Sequence, residues 1–397
     1  MNRRPGTPGL IRRINDRMVL ELLLAAGPLT RVRISGQTGL SKVTVSHVIG
    51  RLEQAGLITA VGEQTGGRGP SAVLYGVVPS CAYVAGLDVH LNTVAVAIAD
   101  VTGTVVGETT AALDTAGDPV TIVRDVIAET CGAAGIPLSQ LRAFVIGTQG
   151  IIEPDSGDVR FAFNLPAWQS GVRKALETEL GRPVTLENDV NLAAMTERQT
   201  GAARDAGDFV LMWLDGGLGM GVMLGDRIHR GALGGAGEIG YLPVPGAELP
   251  HIVTEPRNTS HETIGGALQS LINMSAVHEL ARAHGFTQDS AVACLTAARA
   301  VADGDGAPFL DALSSRIALG VASVCAVVDP DLVVLAGPVG RAGGTELATR
   351  VERAIRPICP ARPRVAASEV RGNAVLSGAL VAALRQVHTS ICSDDDG

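Results

Sequence analysis

Aromatic side chains are scarce: Phe, Trp and Tyr together make up 3% of the 397 residues. Lysine is scarcer still, present only as Lys42 and Lys174, so nearly all positive charge is Arg. The six cysteines, at positions 81, 131, 294, 325, 359 and 392, include no Cys-x-x-Cys pair. That scatter argues against a disulfide scaffold or a Cys-rich metal knuckle and predicts a reducing, cytoplasmic setting. A membrane span needs ~20 apolar residues. The longest apolar run of the C-terminal third, Ile317 to Val328, falls short and stops at Asp329, so no membrane association is expected. No apolar stretch directly follows the charged Met1-Asn2-Arg3-Arg4-Pro5, so a signal peptide is not expected either. Charged residues are only 18%, whereas hydrophobic residues are 46%, which excludes a disordered chain and allows large cores.

The net charge of -8 is unevenly spread. Residues 1–79 carry ten Arg and Lys against four acids, a net +6, which leaves -14 on the rest. A small basic module on a large acidic one has the charge pattern of a nucleic-acid reader attached to a sensing domain.

Residues 1–79 read as a winged helix-turn-helix DNA-binding domain. Ile14, Met18, Leu22 and Leu23 recur at helical spacing until Gly27-Pro28. Thr30 is placed to cap a short helix from Arg31 to Ser35, and a turn follows at Gln37-Thr38-Gly39. Ser41 is placed to cap a third helix running to about Ala55. Val45, Val48, Ile49, Leu52 and Ala55 form its apolar stripe; Lys42, Val43, Ser46, His47 and Arg51 lie on the other side. Such a helix fits a major groove, with Ser, His and Lys reaching bases or phosphates. Strands from Leu57 to Val61 and from Ala72 to Tyr75 flank Thr65-Gly66-Gly67-Arg68-Gly69-Pro70, a wing whose Arg68 could enter a minor groove. A three-helix protein-docking module with an ordinary hairpin is the alternative.

Residues 80–397 read as a duplicated α/β unit. Apolar strands from Tyr83 to Val89, Thr93 to Ala99 and Thr104 to Thr110 have a counterpart in Phe209 to Leu214 and Met220 to Leu224. Each set begins with a strand ending in Leu-Asp, which suggests two lobes facing a cleft. Alternating helices and strands follow, at about 118–131, 143–148, 190–200, 264–283, 307–328, 331–336 and 373–386, predicting ligands at strand ends.

Six motifs then carry a resemblance: Gly86-Leu87-Asp88; Asn164-Leu165-Pro166-Ala167-Trp168; Leu186-Glu187-Asn188-Asp189-Val190-Asn191; Asp215 to Gly221; Gly237-Glu238-Ile239-Gly240-Tyr241; and Leu335 to Gly340. In this order the chain resembles the ROK family of sugar kinases and sugar-responsive repressors. The resemblance implies a two-lobed actin-like ATPase (ribonuclease H-like) fold for residues 80–397. It places Asp189 at the general-base position of the kinases, and Asn164, Asn188, Glu238 and Glu262 at positions that hold sugar hydroxyls. The bottom-up alternative for Asp189 is the N-cap of the helix that follows.

Two departures from the family pattern matter. The kinases' first phosphate loop is of Asp-x-Gly-Gly-Thr type, but this chain has Asp88-Val89-His90-Leu91-Asn92-Thr93, with side chains where backbone should meet phosphate. The family's zinc set, one His and three Cys, is replaced by Tyr241, Val253, Glu255 and Ser260, so no metal is expected. Tyr241 could take over the lost His contact to sugar. The resulting expectation is a cofactor-free, kinase-inactive, sugar-responsive regulator, in the sense of a repressor, that binds double-stranded operator DNA as a homodimer or tetramer. The alternatives are a sugar kinase, a bifunctional kinase-repressor, and a regulator whose C-terminal domain only dimerises.

Overall fold

The structure, a computed structural model, describes residues 8–64, 71–90, 92–113, 117–160, 168, 171–250 and 266–391. The wing tip with Arg68, the positions Leu91, Asn164 and Glu262, and the zinc-loop positions Val253, Glu255 and Ser260 lie outside the described residues.

The N-terminal elements are α1 (Pro8–Ala26), β1 (Leu29–Thr30), α2 (Arg31–Thr38), α3 (Lys42–Gln54), β2 (Ile58–Gln64) and β3 (Ala72–Val77). Local chemistry sets their ends. Thr30 Oγ1 accepts the Arg33 N–H at 3.3 Å, and Ser41 Oγ accepts the Thr44 N–H at 3.1 Å. Gly39, at φ +72°, closes α2 by donating to the Ser35 carbonyl. The sequence shows Leu29-Thr30 only as the approach to a cap; in the structure it is a strand paired antiparallel with β3, giving the order β1-β3-β2.

The buried face of α1 differs from the expected stripe. Val19, Leu20 and Leu23 pack with Ile34, Val45, Val48, Ile49 and Leu52, whereas Ile14 and Met18 are exposed. Ala55 is likewise exposed, because it is the C-terminal cap of α3 rather than part of its stripe.

The first half of the α/β region runs β4 (Tyr83–His90), β5 (Thr93–Asp100), β6 (Val105–Ala112), α4 (Pro119–Ala134), β7 (Leu141–Thr148), β8 (Ile151–Ile152), β9 (Val159–Arg160), α5 (Val172–Leu180), β10 (Val184–Asn188) and α6 (Asp189–Thr200). The second half runs β11 (Phe209–Leu214), β12 (Leu218–Leu224), β13 (Arg227–Ile228), α7 (Gln269–Ile272), α8 (Met274–Ala283), α9 (Ala291–Ala300), α10 (Ala307–Val328), β14 (Leu332–Ala336), α11 (Gly337–Ile355), β15 (Arg364–Ala367) and α12 (Ala374–Ser390).

The faint repetition in sequence is a repetition of topology. One sheet has the order β10-β7-β4-β5-β6 and the other β15-β14-β11-β12-β13. In each, three antiparallel strands are extended by two parallel ones. Helices α6 and α12 lie between the sheets: Leu192, Met195, Leu376 and Leu380 share one core with Val84 and Val145 of the first sheet and with Phe209 and Val334 of the second. The two helices approach so closely that a Cβ on Gly378 would lie 2.0 Å from the Leu192 carbonyl oxygen. Among the described residues, α10 is the helix long and apolar enough to cross a membrane. Its Phe309, Leu310, Leu313 and Ile317 are buried in the core of the second lobe.

The C-terminal end of α12 reaches the winged helix. Ile391 packs against both the core between the sheets and the core of the N-terminal elements, as do Leu24 of α1 and Val77 of β3.

Candidate functional site

The exposed side of α3 is polar at its start. Lys42, Val43, Ser46 and His47 all face solvent, and Val43 is 66% exposed although apolar. Ser46 Oγ donates to the Lys42 carbonyl at 3.0 Å, which leaves its lone pairs free to accept. Arg51 is engaged differently. Its Nε donates to Asp16 Oδ2 at 3.0 Å and its Nη2 to Asp16 Oδ1, so it pins α3 to α1. That hydrogen bonding, countered in part by burial, raises the Arg51 pKa. Arg31 is held too: its guanidinium bonds the Tyr75 hydroxyl at 2.6 Å and stacks 5.1 Å from the ring centre. Among the described residues, Lys42, Ser46 and His47 are therefore exposed at the beginning of α3, and Arg33 on α2 is exposed as well, a residue the sequence pattern did not single out.

The second candidate site is at the carboxyl ends of β4, β7 and β10, where α/β sheets receive ligands. Asp88 is on β4, and Asn188 and Asp189 stand at the junction of β10 and α6. Glu238 and Tyr241 come from a tight turn of the second lobe, where the Tyr241 N–H donates to the Glu238 carbonyl at 3.2 Å. The structure thus brings four of the six sequence-predicted effector residues into its description.

Their roles are distinct. Asn188, not Asp189, caps α6: its Oδ1 accepts the N–H groups of Val190 and Asn191 at 3.0 and 3.2 Å. Its Nδ2 donates to the Gly150 carbonyl at 3.1 Å. Both ends of the amide thus serve the backbone. One carboxyl oxygen of Asp189 accepts the N–H of its neighbour Val190 at 2.8 Å. Burial, reinforced by the Asp88 carboxylate and then by Glu238, pushes the Asp189 carboxyl up to about 7. Burial pushes Glu238 up to about 7 as well, and burial beside Glu238 pushes the Tyr241 hydroxyl up to about 12. Asp88 is raised by burial but held back by Asn373, whose Nδ2 donates to Asp88 Oδ2 at 2.7 Å. These groups can accept hydrogen bonds from vicinal hydroxyls and, where protonated, return one.

Sequence reasoning missed Glu187. It is 4% exposed, and its Oε1 accepts from the Asn188 N–H at 3.0 Å and from Asn191 Nδ2 at 2.9 Å. Its Oε2 accepts from Arg230 Nε at 2.8 Å and Nη2 at 2.5 Å. A buried carboxylate next to the Asn-Asp pair was the available signal, but its partner 43 residues away was not visible.

The glycine-rich loop of the second lobe is closed by its own neighbours. The Gly216 N–H donates to Asp215 Oδ1 at 2.8 Å, and the Leu218 N–H to Gln269 Oε1 at 3.0 Å, while Gln269 Nε2 returns a bond to the Gly216 carbonyl. In the first lobe, β4 and β5 stay paired through His90 and Thr93.

Comparison with known proteins agrees with this architecture. The sequence profile described as ROK family matches residues 84–386, and one described as winged helix-turn-helix DNA-binding matches residues 12–59. The xylose repressor of Caldicellulosiruptor bescii is 29% identical over 245 residues, 60% of this chain and 61% of that protein. The DNA-binding transcriptional dual regulator NagC of Escherichia coli (strain K12) is 24% identical over 241 residues, 60% of this chain and 59% of its own. The matched segments thus cover about three fifths of this chain and of each of these two relatives. The crystal structure of a ROK family transcriptional regulator, homolog of the E. coli MLC protein, superposes with a TM-score of 0.72 at 20% identity, covering 96% of this chain and 98% of that one. The ROK hexokinase from Thermus thermophilus superposes with a TM-score of 0.62 at 25% identity, over 77% of this chain and 99% of that one.

Proposed function

The chain belongs to the ROK family, and on that premise we propose that it is a DNA-binding transcriptional regulator, in the sense of a repressor, controlled by a sugar bound between its lobes. The observation that supports this reading is the continuity of one chain from the exposed polar face of α3 to the buried carboxyls Asp189 and Glu238, with Ile391 at the end of α12 packed against both the N-terminal core and the core between the sheets. Lys42, Val43, Ser46 and His47 are the proposed DNA face, with Arg68 on the wing. Arg51 supports that face through Asp16 rather than contacting DNA. Asp189, Glu238 and Tyr241, with Asn164 and Glu262, are the proposed sugar contacts, and Asn188 holds Asp189 in place by capping α6. The regulator acts as a homodimer or tetramer, because paired half-sites need paired readers, and it works in the cytoplasm.

We further propose that it does not transfer phosphate. A phosphoryl cradle needs free backbone N–H groups, and those of Gly216 and Leu218 are occupied. His90 also places a side chain where the kinases have glycine. One observation favours the kinase reading: a carboxyl near 7, as in Asp189, suits a general base. The test joins both questions. Genomic fragments selected by the full chain are titrated with it, with and without D-xylose, for which one relative is named, D-glucose or N-acetyl-D-glucosamine. The same samples are assayed for sugar-dependent ATP hydrolysis. DNA release by one sugar without ATP turnover is the expected result. Turnover would support the kinase, and DNA binding that no sugar alters would support a C-terminal domain that only dimerises.

A further inference from the structure

The segment from the end of β13 to Glu238 is held by both lobes. On its own lobe, the His229 N–H donates to the Val222 carbonyl at 2.8 Å, and the Gly237 carbonyl accepts the Met220 N–H at 2.9 Å, so both ends are fastened to β12. Between these points the segment closes on itself, because the Ala236 N–H donates to the Arg230 carbonyl at 3.1 Å. Its middle lies against the first lobe. Gly234, at φ +79°, is so close to β8 that a Cβ there would stand 2.1 Å from the Ile152 carbonyl oxygen. The Arg230 side chain reaches the same lobe and places Nε and Nη2 on Glu187 Oε2.

This arrangement bears on two carboxyls that come from different lobes. Glu187 accepts the Asn188 N–H on its other oxygen, at the turn that leads into Asp189. Arg230 is bonded through its carbonyl to Ala236, two residues before Glu238. One ion pair therefore links the chain that presents Asp189 to the chain that presents Glu238. Those carboxyls are near enough for Glu238 to raise Asp189. Two like groups at such range repel when ionised, so they draw the lobes to no particular spacing. The oppositely charged pair supplies the attraction, and its carboxylate is buried, where water screens it less.

We propose that Arg230 is a positioning residue of the effector site: by holding Glu187 it sets the spacing of Glu238 from Asp189, and with it the hydroxyls that one neutral sugar can present to both. This rests on the sugar-responsive reading above and adds to it the contact that fixes the gap. Arg230 touches no sugar itself; it acts through Glu238.

The experiment uses the full chain and three variants of the pair. Arg230→Met removes the guanidinium and keeps most of the stem. Glu187→Gln breaks the pair from the other side and leaves an amide oxygen for the Asn188 N–H. Arg230→Lys returns the charge. Folding is checked by circular dichroism, and sugar affinity is measured by calorimetric titration with the tightest binder among D-xylose, D-glucose and N-acetyl-D-glucosamine. Arg230→Met and Glu187→Gln are each expected to bind roughly tenfold more weakly, because the ligand must then order the gap itself. Arg230→Lys is expected to recover most of that loss. In a Glu238→Gln background, Arg230→Met should cost no more than about twofold further, since nothing is left for it to position. Wild-type affinity in folded Arg230→Met would mean that His229 and Gly237 anchor Glu238 unaided, and overturns the proposal. The full loss repeated in the Glu238→Gln background overturns it as well. Should Arg230→Met fail to fold, wild-type affinity in Glu187→Gln overturns it in the same way. If Glu238→Gln weakens sugar binding while the Arg230 and Glu187 variants do not, the sugar reading stands and only the positioning role is lost. If wild type binds none of the three sugars, both fall together.

Discussion

Glu187 at the end of the first sheet and Arg230 beyond the second sheet meet across the cleft, with Nε and Nη2 of the arginine on one carboxylate oxygen. The Glu187 side chain is 6% exposed and that of Arg230 is 51% exposed, so one charge is buried and the other is half in water. Arg230→Met would leave the carboxylate with only Asn188 and Asn191 as donors. Removing one partner of a buried pair costs about 3–5 kcal/mol, and the exposure of Arg230 brings the expected loss down to about 1–3 kcal/mol. Urea denaturation of the full chain measures it. A midpoint equal to wild type would mean the two lobes are not tied here.

The two carboxyls near 7 give the folded chain a defined pH dependence. Asp189 rises from 3.8 and Glu238 from 4.5, so between roughly pH 4 and 7 the native state binds more protons than the unfolded state. Stability from these groups is therefore fully present below pH 4 and is lost as pH rises through 7. The expected outcome is a higher melting temperature at pH 6 than at pH 8, against the acid-side losses of other carboxylates. Asp189→Asn should flatten that slope and raise the pH 8 melting temperature by roughly 5 °C. A slope unchanged by Asp189→Asn would remove this residue as its source.

Much of this was legible in sequence because it is local. Thr30 and Ser41 cap the helices they precede, and Val45, Val48, Ile49 and Leu52 are buried together on one face of α3. The duplicated unit was legible through its two Leu-Asp strand ends, and the six ordered motifs marked the family. What was not legible depends on residues distant in sequence. The Arg51 side chain lies on the outer side of α3 in the sequence pattern, but its bond to Asp16, 35 positions away, is not visible there. That Asn188 caps α6 and holds the Gly150 carbonyl, besides any contact to a sugar, shows only once the chain is folded. Helix α11 is absent from the alternation read in sequence; in the structure Pro338 sits in its first turn, where a helix lacks nothing by its missing N–H.

The recognition helix predicts a division of labour. Lys42→Ala should weaken binding to all sequences alike and reduce the salt slope by about one. His47→Ala should instead change base preference, costing about 1–3 kcal/mol on the preferred operator and less on others. Arg51→Ala should lower thermal stability by releasing α3 from Asp16, with a smaller salt-slope change than Lys42→Ala. Fluorescence anisotropy on selected and scrambled duplexes at several salt concentrations separates the three. Equal salt-slope losses for Lys42→Ala and Arg51→Ala would place Arg51 on phosphate.

The last prediction concerns how the cleft reaches the DNA face. Asn373 donates to Asp88 at one end of α12 and caps that helix by accepting the Leu376 N–H at 2.9 Å. Thr196 of α6 bonds the Ala374 carbonyl at 2.6 Å, so the helix that begins at Asp189 is fastened to the start of α12. At the other end His388 bonds the Val101 carbonyl at 2.8 Å, and Ile391 packs against both the core between the sheets and the core of the N-terminal elements. Close packing makes α12 a rigid element, so a shift at Asp88 or α6 moves Ile391 rather than dissipating. Ile391→Ser should therefore leave sugar affinity and sugar-free DNA affinity near wild type and reduce the effect of one on the other. Coupling of this kind spans about 5- to 150-fold, and the variant should bring it to within roughly threefold of none. The measurement is DNA affinity with and without saturating sugar, for wild type and variant. By linkage the same factor must appear in sugar affinity measured with and without DNA. A coupling factor unchanged in Ile391→Ser would show that the winged helix is moved by some other contact than α12.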